Sequence, residues 1–287
     1  MDQICAQFGI TRQAHYQKVK REAQRQVEDK IILEMVRQVR RRHPRLGARK
    51  LLFKIQPILV TEGLQIGRDR LFSLLRERDM LVPPKKAYRR TTIPGYWRTP
   101  NLLPGLTISQ PNQVWVCDIT YLEVEVGRFA YLFLLMDLYS RFIVGWHVAT
   151  SLAADGAVDS LRMALKQLPE IGKTFIHHSD HGVQYTSRSY MEILLQKGIR
   201  PSMGEVGNCY DNIFAERVIG TLKNEYCLDA CFTDHNQVCL AVKEAIHYYN
   251  TDRPHLSLNM AVPKDVYYGF YYDVLPVIIP ESDLCIT

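Results

Sequence analysis

An acid set inside a strand constrains this chain more than any other feature. Val114-Trp115-Val116-Cys117-Asp118-Ile119-Thr120-Tyr121 is rich in β-branched and aromatic residues and reads as a buried strand. A carboxylate in such a run is costly to bury unless it is paired or bound to metal. The neighbouring pattern narrows the fold. Runs 114–124, 129–138 and 141–150 are strand-like and joined by short turns, one near Gly127, as in an antiparallel meander. Helix and strand patterns then alternate: 154–168 helical, 174–178 extended, 187–197 helical, 198–203 extended and 211–226 helical.

Three strands followed by this alternation match the ribonuclease-H-like α/β layout, a mixed five-stranded sheet with helices. In that layout the first and fourth strands lie side by side, which brings Asp118 next to Asp180. Asp180 ends a second strand-like run and opens a glycine-containing loop, His177-His178-Ser179-Asp180-His181-Gly182. Glu216 lies on the last helix of the series, with 35 residues between it and Asp180. Steps of about 100° per residue put Phe214, Val218 and Leu222 on one side of that helix and Asn212, Glu216, Gly220 and Lys223 on the other. Glu216 can then face the strand acids while the apolar side packs on the sheet, and Lys223 is placed to meet a substrate phosphate.

Three clustered carboxylates repel one another, and a divalent cation relieves the repulsion. Hard oxygen donors without cysteine favour Mg²⁺ or Mn²⁺ over zinc. Two such ions, about 4 Å apart, can activate an attacking oxygen and stabilise a leaving one in phosphoryl transfer. Taken singly, each acid is also explained by a capped turn or a surface charge, and a helix N-cap accounts fully for Asp211. Two zinc-like groupings fit less well. His177, His178 and His181 cluster beside Asp180, but His177 and His178 are adjacent rather than ligand-spaced. Cys227, Cys231, His235 and Cys239 recur every fourth residue, but Thr233 or Asp234 should cap a new helix, so the four cannot share one face.

Charge divides the chain. Residues 1–100 carry 23 Lys and Arg against 9 Asp and Glu, whereas the remainder carries 13 against 21, giving +14 and −8. A basic front joined to an acidic remainder points to a nucleic-acid-binding module before an acid-bearing core. Gly9, Thr11 as N-cap and a helix carrying Arg12 look like the second half of a helix-turn-helix over residues 1–20. Further helices are expected at 28–42, at 48–55 with Pro57 ending it, and at 68–77. The last has Leu71, Phe72, Leu74 and Leu75 as its apolar stripe and keeps Arg68 and Arg70 available for phosphate. Lys85, Lys86, Arg89 and Arg90 lie in a proline-containing stretch that suits a DNA-contacting linker.

The expected domains are a basic helical region over 1–81, the linker over 82–110, the catalytic core over 111–232, and a C-terminal helix and tail over 233–287. The helix is expected at 234–250, and the apolar run 274–279 has no evident place. No stretch approaches 18 consecutive apolar residues and the chain does not open on a signal-peptide pattern, so the expectation is a cytoplasmic protein without membrane contact. The odd count of seven cysteines fits reduced thiols.

These residues resemble the transposases of bacterial insertion sequences whose second reading frame encodes a retroviral-integrase-like DDE core. The likeness is carried by Pro111 to Tyr121, His178 to Ser187, Ser202-Met203, Gly207 to Asn212, Glu216, Leu222 to Glu225, Tyr249-Asn250, Arg253-Pro254-His255 and Leu258, together with His43 to Gly47. It implies that Asp118, Asp180 and Glu216 are the metal-binding catalytic triad, using two Mg²⁺ or Mn²⁺ ions. It implies metal-dependent cleavage of double-stranded DNA at the element's terminal inverted repeats, with the exposed 3′-hydroxyl attacking target DNA. A homo-oligomer at the bacterial nucleoid is implied, as is an upstream-frame protein that supplies a complete helix-turn-helix and a coiled coil. His181 stands where Gln is common in that family, and Ile213-Phe214 is bulkier than the small residues often found before the Glu. A non-catalytic DNA-binding regulator and a metal-dependent nuclease of the same fold are the alternative readings. Nicking and strand-transfer assays separate them.

Overall fold

No glycine or proline falls between Arg12 and Arg42, and the chain there runs as one 31-residue helix, α1 (Arg12–Arg42). The sequence pattern reads as two helices over this span. Residues 21–27 between them are mostly strong helix formers, so nothing interrupts the hydrogen-bond ladder. Thr11 caps the helix as expected, accepting the Ala14 amide at 3.1 Å. The computed structural model describes residues 11–83, 99–168, 175–204 and 212–281, which fall into two compact units, one on each side of 84–98. Gly9 and the rest of the first ten residues lie outside the described residues.

In the first unit, α2 (Ala48–Thr61) passes through Pro57 instead of ending before it. Proline removes the hydrogen bond to the Phe53 carbonyl. Both residues are exposed, so water can serve that carbonyl, while Leu59 beyond the proline is fully buried and holds the last turn down. The third helix, α3 (Arg68–Glu77), forms where the pattern places it. Its stripe is narrower than expected: Leu71, Leu74 and Leu75 are buried with Ile32, Val36, Leu51 and Ile55, but Phe72 is exposed beneath the Arg76 guanidinium, 4.9 Å from its ring centre.

The second unit is built on β2 (Val114–Glu123), β3 (Phe129–Asp137), β4 (Ile143–Ala149), β5 (Ile176–Ser179) and β6 (Arg200–Met203), preceded by the short β1 (Thr107–Ile108). The five long strands form one sheet in the order β4-β3-β2-β5-β6. The first three pair antiparallel, and β5 and β6 join parallel. This is the mixed five-stranded ribonuclease-H-like sheet, with the first and fourth long strands adjacent. Helices α4 (Ala154–Leu165) and α5 (Arg188–Gln196) cover one face, and α6 (Ile213–Glu225) and α7 (His235–Thr251) the other. Successive β2 side chains point to opposite faces. Val114 and Val116 join the core under α6 and α7, and Trp115 and Cys117 the core under α4 and α5. Burial on both faces explains why the first half of β2, Val114 to Cys117, reads as an unbroken apolar run.

Two glycines let α4 sit directly on the sheet. A Cβ on Gly145 would stand 2.3 Å from the Ser160 carbonyl oxygen, and one on Gly156 would stand 2.3 Å from the Phe133 ring. Gly145→Ala is expected to cost about 3 kcal/mol, because main-chain atoms on both sides must part. Urea unfolding measures this, and a loss below about 0.5 kcal/mol would show that the helix lifts at little cost.

The C-terminal segment wraps the core. Asp234 caps α7, accepting the Gln237 amide at 2.9 Å. Asn250 pairs both main-chain groups of Ile143, donating at 3.0 Å and accepting at 2.9 Å, and so closes the edge of β4. The short α8 (Pro263–Tyr267) stacks Tyr267 on Phe142. The unplaced apolar run supplies β7 (Val277–Ile278), antiparallel to β1. Leu103 and Ile108, in the stretch read as linker, are buried in the same core. No helix among the described residues is long and apolar enough to cross a membrane.

Candidate active site

Strands β2 and β5 are parallel, with Val116 opposite His178. Two residues further along, Asp118 sits in the middle of β2 and Asp180 just past the end of β5. Both are half-buried. The Ile119 amide donates to Asp118 Oδ1 at 2.8 Å, and the Gly182 amide to Asp180 Oδ1 at 3.0 Å. Gly182 is required by closeness, since a Cβ there would lie 2.9 Å from Asp180 Oδ1. Burial, then the charge of Asp180, pushes the Asp118 carboxyl well above the usual range, and Glu216 adds to the effect. The Ile119 hydrogen bond and the charge of Lys223 oppose it. Asp118 thus has both other acids and one cation in its electrostatic neighbourhood.

On α6 the buried residues are Ala215, Val218, Ile219 and Leu222. The buried stripe is rotated from the expected one. Phe214 is half-buried against the Arg141 guanidinium, 5.2 Å from its ring centre. Helical steps put exposed Glu216 and half-buried Lys223 together on one margin of the stripe. Burial lowers the Lys223 ammonium, and Asp118 and Asp229 oppose this. Asn212, which helical steps place on the side of Glu216 and Lys223 and which is expected with Lys223 to contact DNA, is buried and donates to the Cys117 carbonyl at 3.0 Å. Asp211 lies outside the described residues.

The three acids fit a hard divalent cation in kind: all are oxygen donors, and burial together with the charges of Asp180 and Glu216 raises the Asp118 carboxyl, a cost that a cation would relieve. Among the described residues, no three His, Cys, Asp or Glu side chains already converge on one ion-sized position.

The histidines beside Asp180 turn into the core. His177 Nε2 lies 2.8 Å from the Tyr190 hydroxyl, and His178 Nδ1 lies 2.9 Å from Ser202 Oγ. Burial, with the charge of His178, lowers His177 from 6.5 to about 3. The unfolded chain binds this proton below pH 6.5 and the folded chain does not, so stability falls as pH falls, by about 1.4 kcal/mol per unit down to about pH 3. His177→Gln should remove one proton's worth of that slope in pH-dependent urea unfolding. An unchanged slope would show that His177 titrates normally.

Of the other basic residues expected at DNA, Arg68 is exposed and pairs with Asp69 at 2.9 Å. Arg70 is turned inward, bonding Asp29 at 2.7 Å and reaching Glu28 at 3.5 Å, which ties α3 to α1 and corrects its reading as available for phosphate. The Arg12 side chain and Lys85, Lys86, Arg89 and Arg90 lie outside the described residues.

Residues 108–209 match the integrase core domain family, and residues 197–263 match a second family model of the same description. The insertion element IS600 uncharacterized 31 kDa protein of Shigella sonnei is 35% identical, covering 91% of this chain and 96% of its own length. The transposase for insertion sequence element IS904 of Lactococcus lactis is 32% identical, covering 86% of this chain and 97% of its own. The HTLV-2 integrase catalytic core domain in complex with magnesium shares 17% identity, covering 58% of this chain and 99% of that one, with a TM-score of 0.44. Sheet order and family matches together define a DDE-type polynucleotidyl transferase of ribonuclease-H-like fold. Within that class the chain belongs to the bacterial insertion-sequence transposases, enzymes of DNA transposition.

Proposed function

We propose that Asp118, Asp180 and Glu216 are the catalytic acids of this transposase and hold its divalent cations, two Mg²⁺ or Mn²⁺ per site. The reaction is cleavage of duplex DNA at the element's terminal repeats, followed by attack of the exposed 3′-hydroxyl on a target phosphodiester. The observation carrying this reading is the placement of Asp118 and Asp180 on neighbouring parallel strands, each two residues beyond the paired Val116 and His178, with Glu216 raising the Asp118 carboxyl from α6. When bound, the cations would activate the attacking oxygen and stabilise the leaving one.

The chain's own residues supply position and charge. The Ile119 and Gly182 amides orient the two aspartates. Lys223, beside Asp118, offers a cation to a substrate phosphate, and Arg68 offers one from the first unit. Lys85, Lys86, Arg89, Arg90 and Arg12 add basic contacts to the backbone of duplex DNA. Cleaving both ends of one element calls for two copies of the site, so the active form is a homo-oligomer, joined by the upstream-frame protein. The chain works in the cytoplasm, at the nucleoid.

Asp180→Asn tests the assignment. The variant is expected to bind end DNA as the wild type does, while losing Mg²⁺-dependent nicking and strand transfer. Wild-type cleavage by the variant would sink the triad. Cleavage without joining by the wild type would make the chain a nuclease.

A further inference from the structure

Asn212 stands at the N-cap of α6, yet its side chain makes no capping hydrogen bond there. An N-cap asparagine ordinarily turns back onto the first amides of its helix. This one is buried and crosses to the sheet, its Nδ2 donating to the Cys117 carbonyl at 3.0 Å. Cys117 immediately precedes Asp118. The main-chain carbonyl of the same asparagine accepts the Glu216 amide at 3.1 Å. One residue therefore grips the strand beside one acid with its side chain, and the amide of another acid with its backbone. Asn212 Oδ1 is buried as well and has no hydrogen-bond partner among the described residues, so the side chain is turned into the protein.

From these contacts we infer that Asn212 is a positioning residue that sets the separation of Glu216 from Asp118, and thereby the affinity of the acidic cluster for a divalent cation. The inference rests on the reading of the three acids as cation ligands. The first turn of a helix has the fewest main-chain hydrogen bonds to hold it. A tether at that point restrains the Glu216 backbone, whereas the apolar stripe restrains the helix as a whole. Outer contacts that orient ligands in this way are worth on the order of 10- to 100-fold in metal affinity.

The test uses the full chain without DNA and Mn²⁺ as the probe, with unbound Mn²⁺ read by electron paramagnetic resonance. Asn212→Ser keeps a residue suited to an N-cap but is too short to reach Cys117. The variant should bind Mn²⁺ on the order of ten times more weakly or worse. Its affinity for duplex DNA and its native circular dichroism at the titration temperature should be unchanged. Titration within the folded range keeps any lowered unfolding midpoint from entering the result. Wild-type Mn²⁺ affinity in Asn212→Ser overturns the inference, and weakened DNA binding alongside it assigns Asn212 to DNA instead. Asp118→Asn is the control. If it binds Mn²⁺ as the wild type does, the triad reading itself has failed; if it loses Mn²⁺ while Asn212→Ser does not, only the Asn212 inference has.

Discussion

Asp118→Asn is expected to give a chain that is more stable than the wild type in EDTA and at least a thousandfold slower in strand transfer. The two effects share one cause. Burial and the charges of Asp180 and Glu216 already disfavour the ionised Asp118 carboxyl. Asparagine removes that charge and keeps an oxygen to accept the Ile119 amide at 2.8 Å. Relief of a destabilising arrangement kept for function is worth about 1 kcal/mol here. The lost rate corresponds to about 4 kcal/mol of transition-state stabilisation. Mg²⁺ should raise the unfolding midpoint of the wild type, by linkage to the folded state, and leave that of the variant unmoved. Denaturant unfolding with and without Mg²⁺, beside a strand-transfer assay, reads all three effects. A variant less stable than the wild type in EDTA would mean that Asp118 is held by favourable contacts rather than strained by repulsion.

The strand pattern was legible because β2 is buried on both faces and β3 and β4 follow through short turns. Those features fix sheet order, and sheet order places Asp118 beside Asp180. The helix face was legible only in part. Hydrophobicity alone favoured Phe214 over Ala215, yet Ala215 is small enough to sit against the sheet, and Phe214 finds Arg141 instead. Pro57 misled because the rule it carries concerns one hydrogen bond, and that bond falls on the exposed side. Arg70 shows the limit for charge. A sequence gives its sign, but Asp29 and Glu28 lie about forty residues away and meet it only in the folded unit. The pairing of β7 with β1 left no pattern either, since two-residue strands are too short for periodicity to show.

The largest stability effect is expected at a pair that no local pattern announces. Glu225 ends α6, the helix that carries Glu216, and Arg253 grips it with Nε to Oε2 at 2.7 Å and Nη2 to Oε1 at 2.9 Å. The Arg253 side chain is 5% exposed and its guanidinium lies 5.3 Å from the Tyr249 ring centre. An acid at a helix C-terminus is opposed by the helix dipole, so Glu225 depends on that guanidinium more than a mid-helix acid would. Arg253→Met leaves a largely buried carboxylate without its main partner, at a cost of about 3–5 kcal/mol, and Glu225→Leu strands the arginine at a comparable cost. Removing both charges is a different matter. Glu225→Leu with Arg253→Met should recover most of the loss, because two apolar side chains avoid the desolvation that the ions incur. The double-mutant cycle in urea therefore should show a coupling of about 5 kcal/mol or more, beyond the ~0.5–3 kcal/mol usual for residues in direct contact. Single losses below about 1 kcal/mol would place the pair with solvent-screened surface bridges, and α6 would then be held without a contribution from its C-terminal ion pair.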